Sequence, residues 1–274
     1  MMEKMRNNKS IEFCKRTSKL FRKVLFLVSF SAAFLVLFSG CDSENGWDCT
    51  QKAGTIVQTE FIVQPFSKIL VWERIKLFVK KGDEQKVVVE TGENLMNDIE
   101  VTVTDGKLEI HNNNSCNLVR DYGLTKVYIT SPNITEIRSS TGLPIESIGV
   151  LQYPSLTLLS EDQQNEDQYH TDGDFTMNLE VENLTIVANG LSKFYLSGSA
   201  TSANFGLYAS DCRIFSENLI VQNLIVFHRS TAEMIVNPQQ SIRGKIVSLG
   251  DVISKNRPPI VEVEELYRGK LIFE

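Results

Sequence analysis

Six carboxylates fall within residues 161–174: Glu161, Asp162, Glu166, Asp167, Asp172 and Asp174. Oxygens at this density would suffice for a calcium ion if a turn converged them, since the ion takes about six to eight oxygen ligands. They lack the fixed spacing of a calcium loop, so the expected state is a charged turn facing water. Acid pairs such as Asp172 and Asp174 could also flank a glycosidic bond, whose cleavage needs two carboxyls roughly 5–10 Å apart. A chain with 34 acidic residues offers such pairs by chance, and none is singled out as catalytic.

Five cysteines come next. Cys41 follows Phe38-Ser39-Gly40, after a basic segment and an apolar run, Val24 to Phe38, of 15 residues. A bilayer-crossing helix needs about 20 apolar residues, so the run suits a cleavable leader better than a permanent anchor. Small residues directly before a cysteine mark a bacterial lipoprotein signal. Cys41 is therefore the expected lipidation site and mature N-terminus; an uncleaved N-terminal helix is the alternative. Several acyl chains on one cysteine would hold the protein durably at the membrane, since each buried methylene contributes about 0.8 kcal/mol.

Exported chains meet disulfide-forming conditions, which suits Cys49 and Cys116. A bridge between them is the expected pairing and would stabilise the fold by about 4 kcal/mol in the chain-entropy account. Cys212 is the odd one left and could pair with either, while Cys14 lies in the leader. No two cysteines have the close spacing of a zinc site, and the three histidines are isolated. No metal or other cofactor is expected.

Removing residues 1–40 leaves 20 basic and 32 acidic residues, a net charge near −12. An acidic domain without a basic stripe is repelled by phosphate backbones, which excludes nucleic acid as a partner. Tyr195, Tyr208 and Phe227 could stack on sugar rings. Alternate residues of a strand point inward, however, and core packing is the expected role of these aromatics.

The elements that would position these groups read as strands throughout. Lys68–Val71, Lys76–Val79, Lys86–Glu90, Glu100–Val103, Lys107–Ile110 and Lys126–Ile129 are rich in β-branched and aromatic residues and bounded by turn chemistry. Asp105-Gly106 between two such runs predicts a hairpin. Farther on, Leu184, Phe205, Leu224 and Lys245 open units separated by 21, 19 and 21 residues. Such a period implies coils stacked along an axis, each burying its apolar side against its neighbours. A β-sandwich is the alternative.

Pro65-Phe66-Ser67-Lys68-Ile69, Gly92-Glu93-Asn94-Leu95, Asp105-Gly106-Lys107-Leu108 and Tyr128-Ile129-Thr130-Ser131-Pro132-Asn133-Ile134, in that order after Asp48-Cys49, resemble the head GIN domain proteins. The family is also described as auto-transporter adhesins, and members similar to this chain are mostly envelope lipoproteins of the Bacteroidota. The resemblance spans about residues 60–255. It implies an all-β, right-handed parallel β-helix or solenoid of the pectin-lyase type, with some antiparallel hairpin character in the N-terminal part. It carries no agreed catalytic residues. Where relatives show Gly-Ser-Gly and Gly-Asn-Gly turns, this chain has Ser140-Thr141-Gly142, Ala188-Asn189-Gly190, Ser197-Gly198-Ser199 and Ser210-Asp211-Cys212.

The resulting expectation is a leader (1–40), a lipidated tether (41–59) and a solenoid domain (60–274). The protein would be a non-catalytic lipoprotein anchored to the outer membrane, presenting a surface to a glycan or an envelope protein. Fold analogy also admits a polysaccharide lyase or hydrolase, and a structural scaffold of the envelope.

Overall fold

The computed structural model describes residues 49, 51–114, 116, 121–164, 166 and 168–274. The leader, the lipidation site Cys41 and Asp167 lie outside them. Eight short strands come first: β1 (Ile56–Phe61), β2 (Lys68–Val71), β3 (Lys76–Lys81), β4 (Lys86–Gly92), β5 (Ile99–Thr104), β6 (Lys107–Asn112), β7 (Lys126–Ser131) and β8 (Glu136–Ser139). Four long ones follow: β9 (Ile145–Ser160), β10 (Phe175–Ala188), β11 (Lys193–Leu207) and β12 (Arg213–His228). The chain ends in β13 (Met234–Val236), β14 (Pro238–Ile246), β15 (Val252–Ser254), β16 (Ile260–Glu265) and β17 (Leu271–Phe273).

Strand pairing builds two walls. The first is the ladder β1-β4-β7-β3, extended by the leading halves of β9 to β12 and then by β13, β15 and β17. The second is β5-β6-β2-β8, extended by the trailing halves of β9 to β12 and then by β14 and β16. Each long strand therefore bends from one wall into the other. All pairings among β8 to β17 are parallel, the signature of stacked coils. Antiparallel pairs are confined to β1–β4, β4–β7 and β5–β6. The chain is all-β and solenoid-like.

The core lies between the walls, filled by register-matched columns. On the first wall Val127, Leu77, Ile145, Phe175, Phe194, Ile214, Met234 and Val252 stack in sequence, all buried. On the second, Leu108, Ile69, Ile137, Leu158, Ile186, Phe205 and Val226 do the same. Burying a side chain of this size stabilises by about 1.5–3 kcal/mol, so the columns are the main source of stability. The next rung places Gly244 against Val226; its φ is +131° and a Cβ there would meet the Val226 carbonyl at 1.8 Å, so only glycine fits.

Rung length varies between units, which corrects the repeat alignment. Leu184 pairs with Ala203, and Phe205 stacks on Ile186 instead. Leu224 pairs with Ile242, while Lys245 pairs with Phe227 and points outward. Turns between walls carry buried hydroxyls that satisfy backbone groups removed from water. Ser230 donates to the Cys212 carbonyl at 2.8 Å and Ser254 to the Asn256 carbonyl at 2.6 Å, while the Ser160 and Ser192 hydroxyls bond each other at 2.6 Å.

At the N-terminal end, Cys49 and Cys116 are disulfide-bonded with Cα atoms 4.4 Å apart. Gln51 donates to the Asn94 carbonyl at 2.9 Å and Asn94 to the Lys52 carbonyl at 3.1 Å, laying the first segment on the 3-10 turn Glu93–Asp98. At the hairpin between β5 and β6, Asp105 and Gly106 have φ of 52° and 72°. Positive φ at both central residues is what a two-residue hairpin turn of type I′ requires. At the other end, the open edge of β16 is charged: Glu262 pairs with Arg243 at 2.8 Å and Glu264 with Lys245 at 3.3 Å. Charge on an edge strand disfavours further strand pairing.

Candidate binding trough on the first wall

The outward face of the first wall carries its own column. Tyr128, Phe78, Glu146, Thr176, Tyr195, Phe215, Ile235, Ile253 and Ile272 are successive register partners. Because stacked strands are about 4.8 Å apart, in-register rings lie face to face. Phe78 stacks on Tyr128 at 4.9 Å, and Tyr195 on Phe215 at 5.1 Å and 13°. Thr176 interrupts this column, and there a trough opens.

Two bulges shape the trough. Between Glu146 and Val150, β9 spends two more residues than β10 does between Thr176 and Asn178. Between Phe215 and Asn218, β12 has one more than β11 between Tyr195 and Ser197. Extra residues bend a strand and re-aim its side chains. Residues of β9, β10, β11 and β12 line a trough of about 390 Å³. Its lining includes Glu146, Asn178, Tyr195, Phe215, Glu217 and Asn218. Pockets that hold small molecules run to roughly 300–1,000 Å³.

The polar groups here are unequal. Glu146 is held by Lys76 at 2.7 Å, and the Lys76 ammonium also lies 5.0 Å from the Phe78 ring centre. The Asn178 backbone N–H donates to Ser147 Oγ at 2.8 Å, tying the bulge of β9 to β10. Glu217 differs: its Oε2 is shut off from solvent and has no hydrogen-bond partner. An unmet buried acceptor costs about 1–3 kcal/mol.

The aromatics expected to fill the core point the other way. Phe194 and Leu196 face inward, whereas Tyr195 between them is 42% exposed. Tyr208 and Phe227 are half-buried, stacked at 5.0 Å on the outside of the second wall, with Tyr208 folded over Gly206. That wall has a second aromatic group farther along: Trp72 stacks on His111 at 5.0 Å and lies 5.4 Å from Tyr169, over which Arg138 sits at 4.7 Å.

The acidic segment is dispersed among structural partners. Glu161 accepts from Arg138 at 2.7 Å, Asp162 from the Asn189 amide at 2.7 Å, and Asp174 from the Lys193 backbone N–H at 2.9 Å. Among the described residues no group of three or more His, Cys, Asp or Glu could hold a metal ion. Cys212 is a buried free thiol whose pKa is pushed up to about 12 by burial. Burial holds His228 below its ordinary range, against the opposing hydrogen bond to the Ala232 carbonyl. No helix among the described residues is long and apolar enough to cross a membrane.

Sequence reasoning singled out Tyr195 and missed the other trough residues. Glu146, Asn178, Glu217 and Asn218 are brought together by bulges that no local motif announces.

The class defined here is an all-β, solenoid-like protein with an outward column and a trough in one wall. The chain belongs to the family described as "Putative auto-transporter adhesin, head GIN domain", whose model matches residues 65–258. Its fold is similar to that of a putative adhesin from Bacteroides fragilis, at 17% identity and TM-score 0.70, covering 80% of this chain and 97% of that one. A putative adhesin from Parabacteroides distasonis is similar at 14% identity and TM-score 0.58, covering 81% and 98%. A putative lipid binding protein from the same organism is similar at 14% identity and TM-score 0.54, covering 80% and 97%. No curated protein matches the chain.

Proposed function

We propose that this chain is a lipid-anchored, non-catalytic binding module of the bacterial envelope, which holds a glycan or an envelope protein against the outside of its solenoid. The observation that carries the reading is the outward column running from Tyr195 through Phe215 and Ile235 to Ile272, apolar side chains held on a rigid, register-locked wall. Rigid presentation reduces the ordering cost of association. Membership of an adhesin family supports the same reading. Cys41 supplies the anchor, and the residues between it and Cys49, which the disulfide ties to the domain, supply the tether.

Three measurements test it. Labelled palmitate should enter the wild-type protein and be lost in Cys41→Ala; undiminished label in the variant refutes the anchor. Photo-crosslinking from position 235 or 253 in intact cells should capture a glycan or envelope protein, and polymer degradation by the purified protein would overturn the non-catalytic reading in favour of a polysaccharide-active enzyme.

A further inference from the structure

The geometry points to a saccharide site in the trough: one neutral sugar ring, with free hydroxyls and no acidic substituent, seated above Thr176 against the free face of Tyr195. This rests on the binding-module reading and names its ligand class.

One face of Tyr195 is covered by Phe215. Its other face looks toward Thr176, a side chain too short to cover it, and beyond Thr176 stands Glu146. Two strand spacings separate Tyr195 from Glu146, roughly 9–10 Å along the stack. That width admits a single flat ring in van der Waals contact on both sides. An aromatic face with polar groups around it is the chemistry that recognises a pyranose, whose axial C–H groups stack while its hydroxyls seek acceptors.

The surrounding groups choose among sugars. Glu217 and Asn218 line the trough on the β12 side. Glu146 and Asn178 line it as well. Two carboxyl groups against one lysine, Lys76, which is already held by Glu146, disfavour a uronate or sulfated ring. Hydroxyl donors satisfy the same oxygens. A peptide partner would have to bury backbone amides in a slot one ring thick, which the width opposes.

Full-length protein in detergent, titrated calorimetrically with xylohexaose, mannohexaose, cellohexaose and oligogalacturonate, tests the site. At least one neutral oligosaccharide should bind. Tyr195→Ala and Glu217→Gln should each weaken it about tenfold or more, and Thr176→Phe, which fills the slot, should abolish it, all with an unchanged circular dichroism spectrum. Wild-type affinity in both Tyr195→Ala and Thr176→Phe overturns the site and leaves the binding module standing. Preference for oligogalacturonate overturns the neutral-sugar assignment. If no saccharide binds, the assignment is overturned. In that case a captured envelope protein preserves the binding-module reading, and no capture removes both.

Discussion

Phe175 and Phe194 lie face to face at 4.8 Å and 8°, fully buried on adjacent rungs of the first wall. The parallel register makes this contact, because it places equivalent inward positions one strand spacing apart. A stacked pair of this kind contributes about 0.5–1.5 kcal/mol beyond simple burial.

Phe194→Ala should therefore destabilise the protein by about 3–5 kcal/mol, combining lost burial with the cavity left between Phe175 and Ile214. Phe194→Leu should cost far less. Denaturant unfolding of the two variants checks the order; equal and small losses would show that the column is not a main source of stability.

The Cys49–Cys116 bridge should appear as one linked pair in non-reducing peptide mapping, with Cys212 outside it. The double variant Cys49→Ser/Cys116→Ser should lose up to about 4 kcal/mol, since the bridge closes a long loop in the unfolded chain. An unchanged unfolding midpoint contradicts this.

Cys212 should be inert in the native protein. Burial raises its pKa to about 12, and the thiol bonds the Gly190 carbonyl at 3.1 Å, so little thiolate forms and none is accessible. Iodoacetamide at pH 8 should modify it only after denaturation. Rapid labelling of native protein would show that the turn at 209–212 opens.

His228 should make stability depend on pH. Its folded pKa is depressed by burial below the ordinary 6.5, so above that pH both states are neutral and nothing is lost. As pH falls below 6.5 the unfolded chain takes up a proton that the folded chain refuses, and stability declines until the folded pKa is reached. Thermal unfolding between pH 7.5 and 5 should show this decline in wild type and lose it in His228→Gln. An identical slope in both would assign it to other groups.

Much of the fold was legible in sequence because strands announce themselves locally. Alternation in Lys107-Leu108-Glu109-Ile110 and the Asp105-Gly106 turn specify β6 and its hairpin with no tertiary information. Register between rungs is not local. Lys245 lies 21 residues after Leu224, the apparent period, yet pairs with Phe227 because the intervening turn and β13 shorten the coil. Shifting by an odd number exchanges inside for outside, which is how Lys245 comes to face solvent. The trough was hidden for the same reason: whether Glu217 faces a neighbour or a cleft depends on one inserted residue in β12 relative to β11. Tyr195 was legible as a candidate stacker, but its direction followed only from Phe194 and Leu196 on either side.

The bridge near the N-terminus also decides how the molecule bears load. A pull on the chain ahead of Cys49 arrives at that residue and passes through the covalent link to Cys116, 67 positions farther on. The backbone between them, including β1 to β6, is bypassed and cannot be drawn out like thread from a spool. Tension is handed to the segment leading into β7, which sits inside the first wall between β4 and β3. Whatever tugs on this protein from its N-terminal end must strain that wall across its width before any rung can peel away.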